Sequence, residues 1–152
     1  MPFPPPLIFV AGVGLALLVE RWAPRLGLPG LSLPALRGVG LIGGALITMG
    51  AALDLTGILT FARRRTAIYP NKPATLVVAQ GVYRLSRNPM YHGMALVTAG
   101  IALLIGSGWT LVLLPFMLLA MQRFVIAREE RHLQARHPET YAAYCAQVRR
   151  WI

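Results

Sequence analysis

Residues 89–126 read PMYHGMALVTAGIALLIGSGWTLVLLPFMLLAMQRFVI. The run is apolar and too long for a single membrane helix, and Gly106-Ser107-Gly108 divides it. Two helices of about 17 residues, 89–105 and 109–126, then form a hairpin, each close to the length needed to cross a hydrocarbon core of roughly 30 Å. Asn88-Pro89 marks the start of the first: Asn suits the capping position, and Pro suits a first turn where its missing N–H is not needed.

Working outward, residues 7–19 form an apolar run after an opening Met-Pro-Phe-Pro-Pro-Pro, and end at the interfacial trio Glu20-Arg21-Trp22. No basic residue precedes the run, so the reading is an uncleaved membrane helix rather than a signal peptide. Residues 36–59 form another, with Arg37 at its edge and Asp54 inside it, followed by Arg63-Arg64-Arg65. The expected fold is therefore an all-α integral membrane protein, a single domain over 1–152 with about four transmembrane helices. A loop over 63–88 and a helical tail over 127–152 complete it.

Composition agrees. The 152 residues are 56% hydrophobic and 13% charged, whereas a soluble domain carries about 25% charged residues. Fifteen Lys and Arg against five Asp and Glu give a net charge of +10. Strongly basic chains often bind nucleic acid, but here the basic residues sit in short clusters between apolar runs, so no nucleic-acid partner is expected. Twelve of them lie in the long loop and the tail, and only Arg21, Arg25 and Arg37 in the first connection. That asymmetry places loop and tail in the cytoplasm, and four spans bring the N-terminus there too.

Gly43, Gly50 and Gly57 recur every seven residues, and Gly40 and Gly44 are four apart, spacings that let membrane helices approach closely. Asp54 is the one carboxylate inside a span; pairing with Arg63–Arg65 or snorkelling is the expected outcome. His92, His132 and His137 lack metal-ligand spacing and Cys145 is the sole cysteine, so no metal site is expected.

The polar residues gather at two places, 81–93 and 128–133, which the hairpin brings side by side. Beyond them, Pro138 and Glu139 open a short helix that puts Tyr141 and Tyr144 on one face, read as an interfacial helix with an aromatic anchor.

Gly81-x-Tyr83-x-x-x-Arg87-Asn88-Pro89-x-Tyr91-x-Gly93 resembles the Arg-His-Pro-x-Tyr-x-Gly signature of the isoprenylcysteine carboxyl methyltransferase family. Glu129-Glu130-x-x-Leu133, Tyr141-x-x-Tyr144 and Val148-x-Arg150 follow in the family's order, so the likeness covers about Thr75 to the C-terminus. Membrane phospholipid methyltransferases share parts of it.

The resemblance implies an integral membrane methyltransferase that uses S-adenosylmethionine on a small apolar or lipidic substrate drawn from the bilayer. It implies a cytoplasmic cofactor pocket formed by Leu76, Val77, Val78, Tyr83, Asn88, Pro89, Met90, Tyr91 and Glu129, with Arg87 and Glu130 in support. In such a pocket Glu129 pairs with the cofactor ammonium, the Pro89 helix start receives its carboxylate, and a tyrosine ring faces adenine or sulfonium. Two positions depart from the family: Asn88 replaces a His, and Val125 stands where prenylcysteine enzymes carry a substrate-binding Arg. The second departure argues against a prenylcysteine carboxylate as the methyl acceptor. A non-catalytic scaffold or lipid-binding protein fits the same topology, whereas a nicotinamide-dependent membrane reductase needs a larger phosphate site than this short chain offers.

Overall fold

The structure is a computed structural model that describes residues 4–34, 37–63 and 77–151. Among the described residues six α-helices run in order: α1 Pro5–Trp22, α2 Arg37–Arg63, α3 Pro89–Ile105, α4 Gly108–Met121, α5 Ala127–Arg136 and α6 Pro138–Gln147. Between α4 and α5 the backbone stays helical through a π-helical segment, Gln122–Ile126. Residues Gly108–Arg136 are thus one continuous rod of 29 residues. Pro5–Leu26, Gly38–Arg63 and Gly108–Arg136 are long and apolar enough to cross a membrane, and Pro89–Ile105 is a shorter apolar helix.

These bounds revise the expectations in three places. The first helix, expected over 7–19, has 18 residues. Pro5 opens it without cost, since a first-turn residue has no partner for its N–H. The second, expected to stop at 59, continues to Arg63. The expected break between span and tail at 127 does not occur, and the first ten residues of the tail prolong the fourth helix. The predicted division at 106–108 is observed: Gly106 ends α3 with a φ of 70°, and Ser107 caps α4 by accepting from the Thr110 amide at 3.3 Å. The preceding connection clasps this turn, with Leu33 N–H donating to Gly106 O and Gly108 N–H to Leu31 O, both at 2.8 Å.

Close approach of backbones explains the main packing. α2 lies most extensively on α3. A Cβ on Gly50 would stand 2.5 Å from the Gly93 carbonyl oxygen, and one on Gly43 would stand 2.9 Å from that of Gly100. Gly57 meets the side chain of Met90 in the same way. The seven-residue glycine stripe is therefore the α2 face of an antiparallel helix pair. Gly40 and Gly44 face open space, contrary to the expectation that they too mediate packing.

α1 packs on α4, where Met117 fills the space over Gly12. Phe9, Tyr91, Met117, Met121, Val125 and Ile126 form the buried core between these layers. Outside it, Leu41, Phe116, Leu119 and Phe124 are exposed, an apolar perimeter that a bilayer would cover.

Candidate active site

At the end of the bundle opposite the clasped turn, α3 begins, α5 begins and the C-terminal residues return. The predicted juxtaposition of 81–93 with 128–133 is observed there. The Tyr91 hydroxyl lies 3.0 Å from both Glu129 carboxylate oxygens and donates its proton between them. Arg87 Nη1 lies 3.2 Å from Glu130 Oε1.

The fourth helix explains why Glu129 faces α3. Met117, Met121, Val125 and Glu129 recur every fourth residue, and an α-helix has about 3.6 residues per turn, so such a row drifts around the axis. The wider π turns at Gln122–Ile126 take this drift back. Met117, Met121 and Val125 stay buried in one row, and Glu129 emerges beneath Tyr91.

Tyr83 is held by a 3-10 turn, Gly81–Arg84, that starts with Gly81 at a φ of 59°. A side chain there would be strained and would press on Thr60 of α2. Its ring meets Phe61 edge-on at 5.2 Å, and its carbonyl accepts from the Tyr144 hydroxyl at 2.7 Å. The Tyr83 hydroxyl lies over Gly57 and makes no hydrogen bond among the described residues. Burial, then Tyr144, Glu129 and Asp54 nearby, push the Tyr83 phenol above its ordinary range, so it remains a hydrogen-bond donor at any working pH.

The other predicted residues divide. Met90 packs across the helix pair onto Gly57, and Pro89 is buried at the first turn of α3. Asn88 occupies the capping position, but its side chain does not cap; its Nδ2 donates to the Arg150 carbonyl at 3.1 Å. The Tyr91 and His92 amides both turn to the Asn88 carbonyl, which leaves this helix start little N–H capacity for an anion. Val77 packs on Tyr141, Tyr144 and Val148. Val78 is half-buried beside it, and Leu76 lies outside the described residues, as do Arg64, Arg65 and Lys72.

A second polar cluster backs this site. Glu130 binds Arg87 and also accepts from Arg150 Nε at 3.0 Å and Nη2 at 2.6 Å. That bond holds the Arg150 pKa above its already high value. Arg87 Nη1 reaches Cys145 Sγ at 2.7 Å as well, and the Arg87 amide donates to the Arg149 carbonyl at 3.0 Å. Ser86 Oγ donates to the Arg150 carbonyl, and Trp151 meets His92 edge-on at 4.9 Å. Sequence reasoning missed this return of residues 148–151, because backbone carbonyls carry no residue signature.

The structure also places four other residues singled out in the sequence. Tyr141 and Tyr144 share a face as predicted, but they are 5% and 8% exposed and turn into the protein, not toward a membrane interface. Their phenols find partners there, and burial pushes Tyr144 up to about 12. The Asp54 carboxylate abuts Gly93 across the helix pair, and among the described residues its Oδ1 is buried without a hydrogen-bond partner and it makes no ion pair with Arg63; the expected partners Arg64 and Arg65 lie outside the described residues. Val125, the position of the missing substrate Arg, is 3% exposed within the core, while Arg123 and Arg128 are exposed.

Long apolar helices around a polar, tyrosine-lined mouth define an integral membrane protein. Residues 39–140 match the family model described as phospholipid methyltransferase. The chain belongs to that family, and its class is that of the membrane methyltransferases. No curated protein and no solved structure matches the chain.

Proposed function

We propose that this protein is an S-adenosylmethionine-dependent methyltransferase whose cofactor is held at Tyr83, Met90, Tyr91 and Glu129 and whose acceptor is apolar or lipidic. One observation carries the reading. Glu129 is a half-buried carboxylate whose sole partner among the described residues is a neutral hydroxyl, in a chain with a threefold excess of cations. A carboxylate withdrawn from water is stabilised by a cation, and the amino-acid ammonium of the cofactor is one. The Tyr83 hydroxyl, without a hydrogen-bond partner among the described residues, is a second group at the same place. When bound, the cofactor supplies a methyl group already activated on a sulfonium.

The chain's own task is then alignment and exclusion of water, so no general base is demanded of it. Tyr91 fixes the Glu129 carboxylate, and the glycine-packed α2–α3 pair holds both tyrosine rings. The exposed apolar perimeter of the bundle suits an acceptor that arrives from the bilayer. Val125 offers an acceptor carboxylate no donor, and burying an unpaired carboxylate beside it would cost several kcal/mol. The acceptor is therefore a weakly polar nucleophile such as a thiol, an amine or a hydroxyl, and not a prenylcysteine carboxylate. The mouth and both termini face the cytoplasm, as the basic residues direct.

Thermal unfolding in detergent with S-adenosylhomocysteine, the demethylated product, tests the cofactor reading. A rise in Tm that saturates with ligand is expected; a scaffold shows none. Methylation of a farnesylated cysteine analogue faster than of apolar thiols and amines would overturn the acceptor reading. Labelling of Ser107→Cys from the cytoplasmic side would overturn the orientation.

A further inference from the structure

A groove of about 500 Å³ runs along the outer face of the fourth helix, lined by Leu119, Gln122, Arg123, Phe124, Ala127 and Arg150. We propose that it is a binding site for a phospholipid with a net negative headgroup, separate from the methylation mouth: the phosphate sits between Arg123 and Arg150 and an acyl chain lies along Leu119 and Phe124.

The residues divide the groove into two chemistries. Leu119 and Phe124 are 61% and 59% exposed, and such apolar walls call for hydrocarbon rather than water. Arg123 follows directly on the apolar stretch of α4, is exposed, and has no acidic partner among the described residues. Arg150 commits Nε and Nη2 to Glu130 and keeps Nη1 free of any hydrogen bond among the described residues. Glu130 is itself shared between Arg87 and Arg150, so this trio retains a positive charge.

Two guanidinium groups above two apolar walls, at the level where the helix turns from apolar to charged, match a phosphate headgroup and its chain. Guanidinium also binds phosphate through paired N–H donors. The net sign follows from the surroundings. Arg123 has no acidic partner among the described residues and the Arg87–Glu130–Arg150 trio keeps a net positive charge, which together disfavour a headgroup whose ammonium cancels its phosphate. The site lies apart from the mouth because the π segment turns Val125 inward to Tyr91 and leaves Arg123 and Phe124 outward. It does not depend on the cofactor reading.

The test reconstitutes the full chain in nanodiscs of phosphatidylcholine and phosphatidylglycerol in equal amounts. Native mass spectrometry then counts the lipids that remain bound on release. Phosphatidylglycerol is expected to be retained in at least about fivefold excess, and Arg123→Gln should cut that excess about fivefold, the worth of one interfacial cation. Arg128→Gln, which removes the same charge outside the groove, should leave the excess intact. Ala127→Leu, which fills the groove without changing charge, should lower retention of both lipids and serves should Arg123→Gln fold poorly. Equal retention of the two lipids, an equal effect of Arg128→Gln, or stabilisation by inorganic phosphate matching that by the lipid would each overturn the proposal.

Discussion

Glu129 and Glu130 are neighbours on one helix and live in opposite conditions. Glu130 is closed: two arginines from distant parts of the chain share its carboxylate, and their backbones tie the C-terminal residues to the start of α3. Glu129 is open: among the described residues a single neutral hydroxyl meets it, beside a tyrosine whose own hydroxyl makes no hydrogen bond there. The closed cluster holds the structure together, and the open one is where we place the cofactor's ammonium. Electrostatic groups left unmatched in an otherwise matched neighbourhood mark the place where a ligand completes the structure.

The contrast breaks first at Glu130. Glu130→Gln leaves two half-buried guanidinium groups without their anion, and thermal unfolding should show a loss of about 3 kcal/mol. Glu129→Gln should unfold within about 1 kcal/mol of the parent, since a neutral amide still accepts from Tyr91. Equal losses would erase the distinction between the two regions.

A second test moves to the frame that holds the open site. Gly50→Ala thrusts a methyl group against the Gly93 carbonyl, and should cost about 1–3 kcal/mol as the α2–α3 pair is forced apart. Gly40→Ala points into open space and should be neutral or slightly stabilising, because Ala favours helix over Gly. The Gly50 variant should also weaken ligand binding, since Tyr83 and Met90 rest on the same helix.

The smallest effect is expected at the joint between the clusters. Tyr144→Phe removes the hydrogen bond to the Tyr83 carbonyl, worth about 1 kcal/mol. The folded phenol titrates near 12, above the ordinary value of about 10. Its contribution is therefore complete below pH 10 and lost as pH rises toward 12. Unfolding measured across that window should fall less steeply in Tyr144→Phe than in the parent.

How much of this was legible in the sequence follows from what each feature depends on. The split at 106–108 was readable because a Gly-Ser-Gly turn interrupts an apolar run with local chemistry alone. The stripe at Gly43, Gly50 and Gly57 was readable as a period, but only the partner helix distinguishes it from Gly40 and Gly44. The shared face of Tyr141 and Tyr144 followed from helical spacing. The side they face did not, because an aromatic with a polar tip suits a membrane interface and a hydrogen-bonded interior equally well. The pairing of 81–93 with 128–133 followed from the hairpin. The π segment was missed, although the row Met117, Met121, Val125, Glu129 carries its signal: a strict spacing of four needs turns wider than an α-helix.

The most direct test is calorimetric titration of S-adenosylhomocysteine into the parent, Glu129→Gln and Glu130→Gln under conditions where all three are folded. Loss of a charge-assisted bond to the ligand's ammonium should weaken Glu129→Gln by about 1.5–3 kcal/mol, roughly 10- to 150-fold in affinity. Glu130→Gln should bind within about threefold of the parent, since its partners are the chain's own arginines. Parent affinity retained in Glu129→Gln, or an equal loss in both variants, would contradict the assignment of Glu129 to the open site.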